Sequence, residues 1–305
     1  MGSLSTANVE FCLDVFKELN SNNIGDNIFF SSLSLLYALS MVLLGARGET
    51  AEQLEKVLHF SHTVDSLKPG FKDSPKCSQA GRIHSEFGVE FSQINQPDSN
   101  CTLSIANRLY GTKTMAFHQG KNVTVEMMYQ IGTFKLAFVK EPQMQVLELP
   151  YVNNKLSMII LLPVGIANLK QIEKQLNSGT FHEWTSSSNM MEREVEVHLP
   201  RFKLEIKYEL NSLLKPLGVT DLFNQVKADL SGMSPTKGLY LSKAIHKSYL
   251  DVSEEGTEAA AATGDSIAVK SLPMRAQFKA NHPFLFFIRH THTNTILFCG
   301  KLASP

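Results

Sequence analysis

Two imidazoles separated by one residue, His290-Thr291-His292, have a spacing that could hold a metal, because alternate positions of a strand project to one face. They sit in what reads as a hairpin turn, however, and no acidic or cysteine third ligand is near in sequence, so no metal is expected. His246 lies in an apolar strand, where a lone histidine is read as a satisfied buried donor and acceptor rather than a catalyst. Trp184, the only tryptophan, reads as packing. No GxSxG elbow, HExxH, P-loop, GxGxxG or CxxC pair is present. The residues therefore assemble no catalytic constellation, and neither an enzyme nor a cofactor is expected. One segment remains without a core or linker reading: VSEEGTEAAAATGDSIAVKSLPM, Val252 to Met274, polar and yet ordered in its composition.

Composition narrows the classes. A chain of 305 residues can bury a large core, and its 29 basic and 29 acidic residues cancel, so no global field draws it to nucleic acid or an acidic membrane. The sparse group Lys68, Lys72, Lys76 and Arg82 reads as a solvated loop. Leu33 to Leu44 is the most apolar stretch, shorter than the ~20 residues a bilayer needs. The N-terminus lacks the basic start and apolar run of a secretory signal, and Cys12, Cys77, Cys101 and Cys299 are scattered, so a reduced cytoplasmic protein is expected. On that expectation the sequons at Asn100 and Asn122 carry little meaning.

The elements that must position these residues begin with helices. Val9, Cys12, Phe16 and Leu19 share one helical face; Ser32 to Leu44 is a buried helix; Thr50-x-x-Gln53 reads as a capping box opening a helix over 51–58; another helix surrounds His84 to Ile94. Strands follow at Leu103 to Leu109, Thr133 to Val139, Gln145 to Pro150 and Leu156 to Leu162, the last two joined by a turn at 152–155. A helix over Asn168 to Leu176 precedes two alternating strands, Glu194 to Leu199 and Phe202 to Tyr208, split by Pro200. A helix at Leu210 to Leu217, a strand at Leu239 to Val252 and an apolar hairpin at Phe284 to Ile288 and Thr295 to Cys299 complete an α+β pattern.

FKANHPFLFFI (278–288) with EEGTEAAAAT (254–263) resembles the serpin family. The stretches NIFFSSLSLLYALSMVLLGARGET (27–50), SIANRLYG (104–111), VLELPY (146–151) and IHKSYLDVSEEGTEAAAAT (245–263) extend the likeness over nearly the whole chain, and the ending FCGKLASP resembles the ovalbumin-like intracellular branch. The resemblance implies one serpin-like domain over 1–305, with large mixed β-sheets, surrounding helices and a reactive loop at 254–276. It implies a suicide inhibitor: a protease attacks the loop, forms an acyl-enzyme, and the cut loop enters a large sheet as a new strand. Glu254, Glu255 and Gly256 match the loop hinge, and Thr257, Ala259, Ala261 and Thr263 place small side chains at period two, as a strand slipping between neighbours requires. A short alanine helix is the competing reading of that run, marginal at this length. By family spacing Lys270–Ser271 is the reactive bond, and lysine there suits a trypsin-like serine protease with an acidic pocket. Ser31, Ser34 and His246 match the family's shutter, a polar network beneath the opening point of the sheet.

The chain departs from the family after Gln119. There the family continues with a helix, an edge strand, a long helix covering the sheet and the sheet's third strand; here GKNVTVEMMYQIGTFKLAF follows at once. An internal deletion near 119–120 is inferred, of the kind exon skipping gives, leaving the central sheet without its third and first strands and its covering helix. One of two ladders for an inserted loop is then lost, on the order of 10 kcal/mol for ~10 hydrogen bonds, comparable to a whole domain's stability of ~5–15 kcal/mol. Two outcomes stand: a scaffold that is cleaved without inhibiting, prone to self-association or loop–sheet polymers through unpaired edges, and a working suicide inhibitor.

Overall fold

The computed structural model describes residues 3–22, 25–60, 77–94, 127–151, 154–234, 238–253 and 275–304. In chain order the elements are α1 (Ser3–Asn22), β1 (Ile28–Phe30), α2 (Ser32–Gly45), α3 (Gly48–Val57), α4 (Cys77–Ile94), β2 (Met127–Val139), β3 (Met144–Pro150), β4 (Leu156–Pro163), α5 (Ile166–Gln175), α6 (Ser178–Thr185), β5 (Met191–Pro200), β6 (Phe202–Glu209), α7 (Leu210–Leu217), β7 (Ile245–Val252), β8 (Ala276–Lys279), β9 (Phe284–His290) and β10 (Ile296–Leu302). Eight strands form one sheet in the order β1-β10-β9-β4-β3-β2-β5-β8, and β6 and β7 form a second, two-stranded sheet. Among the described residues only the β5–β8 pair is parallel.

The continuous apolar runs of β4 and β9 follow from burial on both faces. Ile159, Leu161, Leu285 and Phe287 enter the core shared with α1, α2, α5 and α6. Their alternate neighbours Met158, Ile160, Phe284, Phe286 and Ile288 enter a second core that Phe202 and Leu204 of β6 close. The second sheet therefore lies against the face of the first. Gly300 permits the close approach at β10, since a Cβ there would lie 2.3 Å from the Phe286 ring. Pro200 ends β5, and only Arg201 separates it from β6, so the chain leaves one sheet and enters the other at the proline the alternation marked.

Several elements depart from the sequence expectation; β2 opens at Met127, six residues before Thr133, and β1, α6 and β8 were not expected. The third helix opens at Gly48, not Ala51, and its Arg47 N-cap makes no side-chain capping bond. Thr50 and Gln53 form no capping box, because their oxygens are used elsewhere: Thr50 Oγ1 accepts from Asp229 N at 3.0 Å, and Gln53 Oε1 accepts from Thr220 N and Asp221 N, both at 3.0 Å. Residues 239–244 are not strand, and β7 begins at Ile245. Their backbone donors go to other acceptors, Leu241 N to Leu222 O and Ala244 N to Asn211 Oδ1, which leaves no ladder. The helix around His84 starts earlier, at Cys77. Of the turn at 152–155, residues 152–153 lie outside the described ones; Asn154 has φ 54° and Tyr151 N donates to Leu156 O. The expected strand at Leu103 to Leu109 also lies outside them.

One ion pair is buried in the sheet. Arg289 Nη2 donates to Glu148 Oε1 at 3.0 Å, with Lys135 Nζ 3.6 Å from Oε2. Burial alone would raise the Glu148 carboxyl, but the charge and hydrogen bond of Arg289 outweigh it and hold the group below the usual range. Glu148→Leu would strand the guanidinium in the core. The expected result is a loss of about 3–5 kcal/mol in urea unfolding, with much of it recovered by the double variant Glu148→Leu/Arg289→Met.

Candidate functional site

The junction between β1 and α2 is held from the side by β6 and β7. Ser31 is the N-cap of α2: its Oγ accepts from Ser34 N at 3.3 Å and donates to Leu297 O at 3.0 Å. Its own backbone N–H donates to His246 Nε2 at 3.0 Å. An amide only donates, so Nε2 must be the unprotonated nitrogen and the imidazole is neutral with its proton on Nδ1. Burial pushes His246 down to about 4, in agreement with that geometry. Ser31, Ser34 and His246 are thus brought together, all three buried.

Two further side chains complete the network, and the sequence reading missed both. Ser248 Oγ donates to Phe29 O at 3.0 Å, and Tyr208 Oη accepts from Phe29 N at 3.2 Å. Burial raises the Tyr208 phenol to about 12, so it stays protonated. Alternation puts His246 and Ser248 on one strand face, but the register that sets Tyr208 opposite His246, and the choice of that face to meet β1, come only from the fold. Lys247 and Asp251 point outward and pair with Glu205 and Lys203 across the ladder.

β7 pairs with β6 along its whole length, Val252 opposite Phe202 through Ile245 opposite Glu209. Among the described residues no strand pairs with its other edge. The described chain stops at Ser253 and resumes at Arg275, and β8 lies on the edge of the eight-stranded sheet. Glu254, Glu255, Gly256, Thr257, Ala259, Ala261, Thr263, Lys270 and Ser271 lie outside the described residues.

The histidine pair at the β9–β10 turn does not share a face. His290 ends β9 and is buried, its Nδ1 2.9 Å from Thr293 Oγ1, while His292 is exposed. Asn294 at φ 59° turns the chain and its N–H donates to His290 O, which breaks the strand alternation on which the pairing depended. No group of three His, Cys, Asp or Glu residues suited to a metal occurs among the described residues, and none of their helices is long and apolar enough to cross a membrane.

A protein-family comparison matches the chain to "Serpin (serine protease inhibitor)" in two segments, residues 6–120 and 111–305. The chain is 77% identical to Serpin B11 of Homo sapiens over 392 aligned positions, covering all of both chains. Since it supplies 305 residues to those 392 positions, 87 have no counterpart here. It is 35% identical to Serpin B12 of Homo sapiens and 37% to the leukocyte elastase inhibitor of Equus caballus, again over the full length of each. Among solved structures, uncleaved ovalbumin is similar with a TM-score of 0.75 at 31% identity, and a loop-inserted, cleaved ovalbumin mutant with 0.72 at 28%, each covering 100% of both chains. The chain belongs to the serpin family, in its ovalbumin-like branch, with a fold shortened by an internal deletion.

Proposed function

We propose that this chain is a serpin scaffold that presents Lys270–Ser271 to trypsin-like serine proteases and is cut there as a substrate, without trapping the protease. The observation that carries the reading is β7, the strand that runs into the hinge, paired on one side only among the described residues. A cut loop inserting beside β7 needs a second ladder on its far side, and the family's third strand is what would supply it. The two matched segments meet at residues 111–120, which supports placing the missing block near 119–120. Without the second ladder, insertion forgoes on the order of 10 kcal/mol, and the acyl-enzyme has time to hydrolyse. The relatives named leukocyte elastase inhibitor are by that name directed at an elastase; lysine at 270 favours a protease with an acidic pocket instead.

A working suicide inhibitor is the second reading, favoured by the small residues at Thr257, Ala259, Ala261 and Thr263. In both, Ser31, Ser34 and His246, with Tyr208 and Ser248, act as the shutter that fixes the base of β7. The free thiols Cys12 and Cys299 suit a reducing compartment, the cytoplasm.

Incubation with trypsin separates the two. Cleavage after Lys270 with no complex surviving boiling in detergent is expected, and Lys270→Ala should abolish that cut. A detergent-stable complex lost in Lys270→Ala would overturn the substrate reading. The shutter carries its own pH signature. His246 titrates near 4 when folded and near 6.5 when unfolded, so between those values the unfolded chain binds the extra proton. Its contribution is complete above about pH 6.5 and is lost as pH falls toward 4, by about 3 kcal/mol in total. Urea midpoints measured across that window should fall steeply in the parent and more shallowly in His246→Gln.

A further inference from the structure

The first helix and the last strand each bring one thiol to the same point in the core. Cys12 lies on α1 between Phe11 and Leu13, and Cys299 lies on β10 opposite Phe287 of β9 and Phe30 of β1. Both are free thiols with no solvent exposure, set in one core cluster where α1 packs on β10, and the Cys12 thiol lies close enough to bear on Cys299. Burial first, then the neighbouring sulfur, holds the Cys299 thiol well above the usual range, so in the closed state Cys299 is protonated and inert. No third ligand accompanies them among the described residues, which argues against a metal. What two adjacent sulfurs can do is join.

We propose that Cys12 and Cys299 form an oxidisable pair, converted to a disulfide by a small-molecule disulfide of the glutathione class when α1 lifts from β10. In the open state Cys12 loses its proton to water, and its thiolate attacks one sulfur of the oxidant, expelling one reduced thiolate and leaving a mixed disulfide on Cys12. Cys299, deprotonated in turn, attacks the Cys12 sulfur and expels the second small thiol. Two electrons pass from the protein thiols to the oxidant, one protein S–S bond forms, and the two protons end on the released thiols through solvent. The bond ties the two ends of the chain together, closing nearly all of it into one loop, the arrangement in which a cross-link restricts the unfolded chain most. α1 is then unable to leave β10.

The test uses the full chain with Cys77→Ser and Cys101→Ser, so that the pair supplies the only thiols. The protein is held with oxidised glutathione in urea below its unfolding midpoint, blocked with N-ethylmaleimide, digested and mapped by mass spectrometry without reductant. The expected result is an α1 peptide linked to a β10 peptide, lost on reduction, with a melting temperature several degrees above that of the reduced protein. With Cys299→Ser added, Cys12 should accumulate as the glutathione mixed disulfide and no link should form. Glutathione on both sulfurs without a link, two thiols that stay reduced, or a link that leaves the melting temperature unchanged or lower would each overturn the proposal.

Discussion

The two-stranded sheet is fastened to the molecule through its face. Phe202 and Leu204 fill the second core under β9, while Tyr208, His246 and Ser248 take up the backbone groups of Phe29 and Ser31. A strand's edge groups must find backbone, side-chain or water partners, and β7 meets this requirement on one edge with the β6 ladder. Face and ladder are independent anchors. Losing a neighbour on the far edge removes neither, so β7 keeps its place, and with it the direction in which the following segment leaves. This is how a chain missing a block of its family's sheet retains the register of Ile245 to Val252 although no second strand among the described residues flanks β7.

The buried polar groups divide by what each must withstand. At the β1–α2 junction they are neutral: an imidazole that accepts, a phenol that stays protonated and serine hydroxyls, each satisfied by backbone groups. A charge there would need a counter-charge on an element that belongs to another sheet. Within the eight-stranded sheet, where β3, β4 and β9 are locked by continuous ladders, a full ion pair is tolerated between Glu148 and Arg289. At the far end of β9 the chain uses a relay: Thr293 Oγ1 donates to Glu90 Oε1 at 2.5 Å and lies 2.9 Å from His290, tying α4 to the β9–β10 turn. α4 is the last helix described before residues 95–126; beside that tie and the Tyr37–Phe87 contact with α2, it buries Ile83, Phe87 and Ile94 in the core.

Local periodicity made much of this legible. Alternation in β5 and β6, the apolar strands β4 and β9, and the break at Pro200 were readable, because each depends on neighbours in sequence. The errors came where a side chain's partner was remote. Thr50 and Gln53 have a capping-box spacing, but acceptors on a helix can equally bind a passing loop, and residues 220–229 supplied it. The bond between Ser31 and His246 spans 215 positions, and only the family likeness pointed to it. Tyr208 and Ser248 went unnoticed because their roles depend on which face of the β6–β7 pair meets β1, which alternation alone does not select. The thiol pair is of the same kind, scattered in sequence and joined only by the packing of α1 on β10.

The anchors of the segment between β7 and β8 impose a length condition of their own. Val252 is tied to Phe202 and Ala276 to Val195, seven residues earlier on β5, so strand rise and spacing keep the two ends within about 35 Å of each other. The residues between them supply roughly 75 Å of fully extended chain. To lie beside the eight residues of β7, an uncut segment would run down about 26 Å, return the same distance and still reach β8. The two runs take about 52 Å of that length, which leaves about 23 Å for the turn and for the reach to β8. Cutting would remove the return and the attachment to β8 together, and so relax the limit that chain length sets. The second ladder is a separate condition, and among the described residues no strand stands beside the free edge of β7 to supply it.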